Sequence, residues 1–450
     1  LTPISLEDMG RLMRRLSRKW RIDEGCLSIV ESWNRMIRFC NDSITASKFW
    51  RQITLALYFV RENRRATAIL ETHEINRIEE IIGRLTSTMK FMEASPVEFH
   101  LPKGPFQYGA VGDMFDERIL VDEDRLIDWV EAGINSSKEG GAERSSGVLT
   151  TSRFRRYLYT TEGCEGSEEA TRLEFSVRAF SDKDASGEEN FSSSSLKGFD
   201  PNAVGMEAGS IAHKSRDKTK IKGGSFNAIL HPNVVANLME SVGESCSAYS
   251  VDIGFSFFSD KMRERVSSPM FTLRDNPRFP GSPGIHLFDD EGCPTREVTL
   301  IDEGVLRSYL HSSYTAAKLG GSLTGSAYIA TPTGTIPIAQ SLIIDPGDYT
   351  LEEMIQEVRE GILVTNNWYT RFQNYLTGDF STIPRDGTFK IENGEVSGSI
   401  KGLRISDNML RILSSIAGIT GQRKWVRRWD AETPTLSPYI LVKDLNFTTI

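Results

Sequence analysis

The chain lacks paired cysteines. Its five, Cys26, Cys40, Cys164, Cys246 and Cys293, include no CxxC pair, so neither a disulfide framework nor a structural zinc knot is encoded. Reduced, mostly buried thiols are expected, Cys246 among them, because no sequence feature lowers its pKa toward that of a nucleophile. A GxSxG elbow, a P-loop and a GxGxxG turn after a strand are also missing. Serine hydrolase, nucleotide hydrolase and dinucleotide enzyme thereby lose their simplest support. Among the six histidines, His73, His100, His213, His231, His286 and His311, no pair has the i,i+4 spacing that lets two imidazoles share a zinc ion on one helix face, so a self-contained zincin is not expected. No apolar run approaches the ~18 residues that cross a bilayer.

Positive charge is in deficit. Lys and Arg number 53 against 61 Asp and Glu, a net charge of -8, which opposes a general affinity for nucleic acid or anionic lipid. One local exception is Gln422-Arg423-Lys424-Trp425-Val426-Arg427-Arg428-Trp429, where basic residues interleave with tryptophan; it is expected to form a solvated loop.

What is present is ordinary globular material: 450 residues, 39% hydrophobic and 25% charged, enough for two or three domains with proper interiors. The opening LTPISLEDMGRLMRRLSRKW puts charges where a secretory apolar stretch would sit and has the apolar spacing of a packed helix, so cytoplasmic residence is expected.

Along the chain, Leu27 to Phe39 and Phe49 to Val60 alternate in apolar character, and Glu62-Asn63-Arg64 reads as a turn into Arg65 to Leu70, which predicts a strand meander. Ile75, Ile78, Ile82, Leu85 and Met89, and then Leu126, Val130 and Ile134, recur at helical spacing. Arg153 to Tyr159 and Leu173 to Ala179 return to strand character, the latter with Leu173, Phe175, Val177 and Ala179 on one face. Ser181 to Phe199 is rich in Ser, Gly, Asp and Glu and is expected to be a flexible loop beside a domain boundary. A helix is predicted from about Asn202 to Lys218, and another from Pro232 with Val235, Leu238, Met239 and Val242 on its apolar face. Short strands follow, including Arg296 to Ile301 with Val305 to Tyr309, and Lys390 to Val396 around Glu392-Asn393-Gly394. Helices interrupt them at Leu351 to Glu360 and at Asp407 to Ile416, with Ser406 as N-cap. The predicted class is α+β: a sheet-and-helix domain over 1–200, a connecting helix over 201–222, and a β-rich, barrel- or sandwich-like domain over 223–450.

The acidic run Asp289-Asp290-Glu291-Gly292 could offer oxygens to a hard cation, yet three consecutive acidic residues point in different directions, so a turn or an interface is the expected use.

Read in order, the second half gives Leu230-His231-Pro232, Ser267-Ser268-Pro269, Phe288 to Arg296, Glu303-Gly304-Val305-Leu306, Thr315 to Gly320, Thr324-Gly325-Ser326, Thr377-Gly378-Asp379-Phe380-Ser381 and Ile391 to Glu395. In order and spacing these resemble the TldD/PmbA family, also labelled modulator of DNA gyrase. The first half resembles it in layout only. The resemblance implies a two-subunit metallopeptidase that trims or degrades unfolded peptides. Its metal-bearing subunit carries HExxxH on a helix, with two histidines and a later cysteine on zinc and the glutamate as general base. Here the matching helix reads His231-Pro232-Asn233-Val234-Val235-Ala236, so proline stands for the base and alanine for the second ligand. The Gly418 to Pro434 stretch has Gly421-Gln422-Arg423-Lys424 and no cysteine. His231 is then expected to be a helix-start or surface residue rather than a ligand.

The resemblance is thus to the metal-less PmbA, or TldE, subunit. It implies no cofactor in this chain, zinc in a TldD-like partner and an unfolded peptide as substrate, while the sequence leaves open whether the isolated chain forms a homodimer or only a heterodimer. Asp289, Asp290, Glu291, Gly292, Gly378, Asp379 and Phe380 are the candidate peptide-channel or interface residues. Two other readings stand beside it: a solitary hydrolase with a different site, for which the acidic run is the starting point, and an interaction protein acting on DNA gyrase through Arg423 to Trp429.

Overall fold

The computed structural model describes residues 6–71, 77–332 and 334–449; Ile75 and His73 lie outside them. The alternating apolar stretches near the start form two long strands, β1 (Glu24–Cys40) and β2 (Ser43–Arg61), followed by β3 (Arg64–Glu71), β4 (Arg144–Thr160), β5 (Glu165–Phe180) and β6 (Ser186–Ser193). They make one six-stranded sheet in the order β3-β2-β1-β4-β5-β6, antiparallel throughout. Its helices are α1 (Leu6–Trp20), α2 (Ile78–Met89), α3 (Glu123–Glu139) and α4 (Pro201–Lys214). α3 starts where Asp122 caps the Arg125 amide, and α4 where Asp200 caps Asn202 with Pro201 in the first turn. The two helices cross closely because a Cβ on Gly205 would lie 2.1 Å from the Gly133 carbonyl oxygen, a separation only glycine permits.

The second half holds β7 (Thr219–Lys220), β8 (Gly224–Leu230), β9 (Leu273–Asp275), β10 (Val298–Asp302), β11 (Val305–Leu306), β12 (Ala327–Thr331), β13 (Gly334–Pro337), β14 (Leu342–Ile344), β15 (Gly361–Asn374), β16 (Asp379–Glu392), β17 (Glu395–Lys401), β18 (Leu403–Asn408), β19 (Ile416–Arg428) and β20 (Ala431–Thr449). Its helices are α5 (Pro232–Ser245), α6 (Ala248–Asp252), α7 (Ser313–Leu319), α8 (Leu351–Val358) and α9 (Met409–Ser414). β20 pairs with β8, β8 with β15, β15 with β16, β16 with β18, and β18 with β20 again. The turn spacing leaves barrel and sandwich open; the closed ring of five strands is a barrel, and closure leaves these strands no free edge. The predicted apolar face of α5, Val235, Leu238, Met239 and Val242, is buried in the main core with Leu230, Ile362 and Val442.

Three expectations are corrected. Ser181 to Phe199 is not a flexible loop: Ser186–Ser193 is the strand β6, paired along its whole length with β5 and mostly buried. Its polar side chains are buried against polar partners from the second half rather than hydrated, so composition alone misreads it. Arg423 to Arg428 is likewise no solvated loop but part of β19, in register with β20. The helix near 407–416 is capped by Asn408, whose side chain accepts from the Arg411 amide, while Ser406 belongs to β18.

The pairing of β6 makes a measurable statement. In hydrogen exchange followed by mass spectrometry, the amides of 187–193 are expected to be protected to the same order as those of β5; exchange within seconds across that segment would contradict the pairing.

Candidate functional site

β8 runs straight into α5. His231 is the N-cap, in extended conformation, and Pro232 takes the first helical position, where its missing N–H costs nothing. The His231 Nδ1 accepts from the Asn233 amide at 3.1 Å, which puts the ring proton on Nε2, 3.5 Å from a Glu189 carboxylate oxygen. Glu189, on β6, is also paired with the Lys424 ammonium from β19, and the Tyr439 ring meets the imidazole edge-on at 4.9 Å. Burial is the largest influence on the imidazole and, with Lys424, lowers its pKa to about 4. Burial alone would raise Glu189, but Lys424 and His231 outweigh it and bring the carboxyl down to about 2. The trio is a neutral histidine, a carboxylate and an ammonium. His231 is therefore a helix-start residue but not a surface one; it is 3% exposed.

Around this start lies a buried polar network. The Asn190 side-chain amide donates to Asn233 at 2.8 Å. Asn367 donates to Asn237 at 2.7 Å and to Thr382 at 2.9 Å. Arg428, 3% exposed in its side chain, pairs with Glu188 at 3.3 Å and with Asp430 at 2.8 Å. Asn366 donates to Glu188 at 2.9 Å and to Asp386 at 2.7 Å. Burial pushes Glu188 up to about 7 against the pull of Arg428.

These residues do not fit a zinc ion at the position that the HExxxH pattern assigns to one. Pro232 has no donor atom. Ala236 packs in a small apolar cluster with Val426 and Ala431, so the second-ligand position faces carbon. His231 is engaged at both nitrogens, and the Lys424 ammonium supplies the positive charge that a dication would have to displace. Among the described residues no group of three or more His, Cys, Asp or Glu side chains is placed to hold a metal.

A groove of about 730 Å³ runs along the second half of α5, between that helix and the first sheet. Its lining carries both signs of charge. Glu240 and Glu244 line it from α5, and Arg172, Arg427 and His286 line it too, with Tyr328, Phe372 and Tyr375 among its apolar surfaces. Burial raises both carboxyls, with Glu240 partly restrained by accepting from the Glu432 and Thr433 amides. Burial, helped by Arg427, lowers Arg172 to about 10. A second cavity of about 460 Å³ is lined by Asn237, Phe372, Tyr375 and the exposed Trp429 and Tyr369. A space lined by acidic, basic and aromatic side chains has the chemistry to hold a zwitterionic chain by both kinds of charge.

The acidic run falls partly on this groove. Asp289 and Asp290 line it, while serving as struts: Asp289 accepts from the amides of Glu291, Cys293 and Ala327 at 3.0, 2.8 and 3.0 Å. Asp290 accepts from the Ile329 amide at 2.7 Å and pairs with Arg156 of β4. Glu291 holds the start of α7 through the Ser313 amide at 2.8 Å and accepts from Thr335 at 2.5 Å. Gly292 has φ +87, and a Cβ there would be 2.7 Å from that of Cys164. Gly378, Asp379 and Phe380 sit elsewhere, at the turn between β15 and β16: Gly378 has φ +83, Asp379 accepts from Thr377 and Asn408 at 2.6 and 2.9 Å, and Phe380 is buried against Phe372. Cys246 is a buried thiol, raised by desolvation.

Sequence reasoning missed Glu188, Glu189, Asn190 and the pairing roles of Lys424 and Arg428. The acidic pair lies in a serine-rich stretch and its basic partners lie 235 and 240 residues away, so no local pattern links them.

Models of known families match the chain twice. Residues 223–449 match the PmbA/TldA metallopeptidase C-terminal domain and residues 120–216 the central domain of the same family. The chain belongs to the PmbA/TldD family. It is 32% identical over 202 residues to Metalloprotease MJ0996 from Methanocaldococcus jannaschii, an alignment spanning 44% of each chain. Across three such curated relatives the chain spans 41 to 49% of their length. The fold matches the crystal structure of TldE from Thermococcus kodakarensis with a TM-score of 0.85 at 20% identity, covering 98% of this chain and 99% of that one. It also matches a candidate modulator of a DNA gyrase from Thermotoga maritima, with a TM-score of 0.84 at 20% identity, covering 99% and 100%. The family accounts for the α+β architecture, and among the described residues no helix is long and apolar enough to cross a membrane.

Proposed function

We propose that this chain is a non-catalytic subunit of a TldD/TldE-type peptidase complex, with zinc and general base supplied by a TldD-like partner and an unfolded peptide held partly in the groove beside α5. The observation that carries the proposal is the start of α5. Where the family's metal-bearing pattern needs a base and a second histidine, this chain has Pro232 and Ala236, and the surrounding space is filled by Val426, Ala431 and a lysine-carboxylate pair. The groove, by contrast, stays open and keeps charged walls. Loss of the chemistry with retention of the cavity is what a subunit that positions substrate requires, since closing a site excludes water and orients the reacting bond.

The test is a mixing experiment with an unfolded peptide: this chain alone, an HExxxH-bearing family member alone, and both together. Cleavage is expected only in the mixture, and it should disappear when the partner's glutamate is replaced by alanine. Metal analysis of this chain alone should find no stoichiometric zinc. Chelator-resistant cleavage by this chain alone refutes the proposal.

A further inference from the structure

Two separate helix pairs cover one face of the first sheet. α1 and α2 pack over Leu27, Ile29, Leu55, Leu57 and Tyr159, and α3 and α4 over Ile37, Phe39, Leu149 and Phe175. Side chains alternate along a strand, so the residues between these two groups on the same face are Glu31, Trp33 and Arg35 of β1. Their register partners are Phe49, Arg51 and Ile53 of β2, and Thr151, Arg153 and Arg155 of β4. Apart from Thr151 and from Ile53, which belongs to the core under α1 and α2, this interval is charged and aromatic. The guanidinium carbons of Arg51, Arg153 and Arg155 lie 5.3, 5.5 and 5.8 Å from the Trp33 ring centroid. Arg35 lies 5.7 Å from the Phe49 ring and donates to the Val121 carbonyl at 2.7 Å.

Two carboxylates face these four guanidinium groups. Glu31 is 3.4 Å from Arg51, and Glu169 pairs with Arg153 and, at 3.2 Å, with Arg155. Three like charges around one ring repel one another, and the attraction of an indole face at partly exposed sites offsets this only in part. The surplus positive charge stands on a sheet face in a chain whose net charge is -8. Arg51 and Arg155 each keep 38% of their side-chain surface exposed, and Phe49 is 64% exposed.

We propose that this saddle between the helix pairs docks a short acidic segment of a partner protein, with two or more carboxylates taken by Arg51, Arg153 and Arg155 and an apolar side chain resting on Phe49. Charge complementarity selects this occupant. Guanidinium forks match carboxylates in bidentate geometry. A single-stranded nucleic acid fits less well, because the Trp33 ring is already occupied by guanidinium groups and offers no base a platform. A long polyanion would also meet the repulsion of the whole chain. None of the saddle's arginines lines the groove beside α5, so its use does not depend on the peptidase reading.

The experiment uses the full chain and fluorescence anisotropy. The probes are a labelled decapeptide of Glu, Asp and Leu, a Lys-rich counterpart, and a single-stranded oligonucleotide. Salt is raised from about 50 to about 300 mM, over which screening of exposed charges becomes strong. The acidic peptide alone is expected to bind, more weakly as salt rises, and the double variant Arg51→Ala/Arg155→Ala should weaken it about tenfold or more at low salt. Circular dichroism should show that variant folded; Arg155→Gln alone, expected to weaken binding less, serves if it is not. Absence of acidic-peptide binding at low salt, equal binding by the variants, or preference for the oligonucleotide overturns the proposal.

Discussion

Replacing Lys424 with methionine is expected to lower the unfolding free energy by about 3–5 kcal/mol, because it leaves the Glu189 carboxylate buried without its cation. The side chain of Glu189 is 10% exposed, and its remaining strong partner would be the neutral His231 imidazole. Glu189→Gln in the same background should recover part of the loss, since an amide needs no counter-charge, and the coupling between the two positions should appear in a double-mutant cycle. The sign with pH follows from the direction of the shift. The folded-state pKa of Glu189 is depressed from 4.5 to about 2, so its contribution is fully present above about pH 4.5 and is lost as pH falls toward 2. The stability difference between the parent chain and Glu189→Gln should therefore be flat at neutral pH and shrink in that acid window. In Lys424→Met the carboxyl has lost the larger of the two partners that depress it, and burial raises its pKa, so the deficit should be largest at neutral pH and lessen on acidification. Denaturant titrations at several pH values measure this. A loss under about 1 kcal/mol at neutral pH would mean that Lys424 is a solvated surface charge.

The same pair shows how far the sequence is legible. Apolar periodicity locates β1, β2, α3 and α5 because burial of one face leaves a repeating mark within a single segment. It locates the start of α5 through Pro232, since proline at the first helical position is a local signal. Order and spacing of short motifs over 223–449 identify the family. What periodicity cannot show is polar burial. Ser186–Ser193 lacks an apolar face, yet Glu188 and Glu189 find Arg428 and Lys424 on a strand far along the chain. Both segments consequently read as solvated, yet the first is mostly buried and the second is a half-buried strand whose Arg428 side chain is interior. The acidic run at Asp289 to Glu291 was legible as a turn because consecutive carboxylates diverge, and each of the three does accept from different backbone amides. That two of them also face the groove depends on the packing of α5 against the first sheet, which no local spacing encodes.

Restoring one zinc-binding letter should fail, and its failure has a physical cause distinct from the missing letters. Ala236→His introduces an imidazole at a fully buried position packed against Val426 and Ala431. The new ring has no room without displacing β19, and its nitrogens find carbon where partners are required. Overpacking costs about 1–3 kcal/mol, and an unsatisfied buried polar group adds about 1–3 more. The expected result is a destabilisation of roughly 3 kcal/mol or more, with no zinc retained, whereas Ala236→Gly should cost only about 1 kcal/mol, the ordinary helix-interior penalty. Adding Pro232→Glu supplies the formal HExxxH sequence but sets a carboxylate at a position where Pro232 is buried, so the cost of desolvating its charged form should deepen the loss near neutral pH. Thermal melts with and without zinc read both quantities. A double variant that binds one zinc per chain and melts higher with it would show that the space beside His231 can be reopened. In that case the repacked strand behind positions 232 and 236 would not be what keeps zinc out.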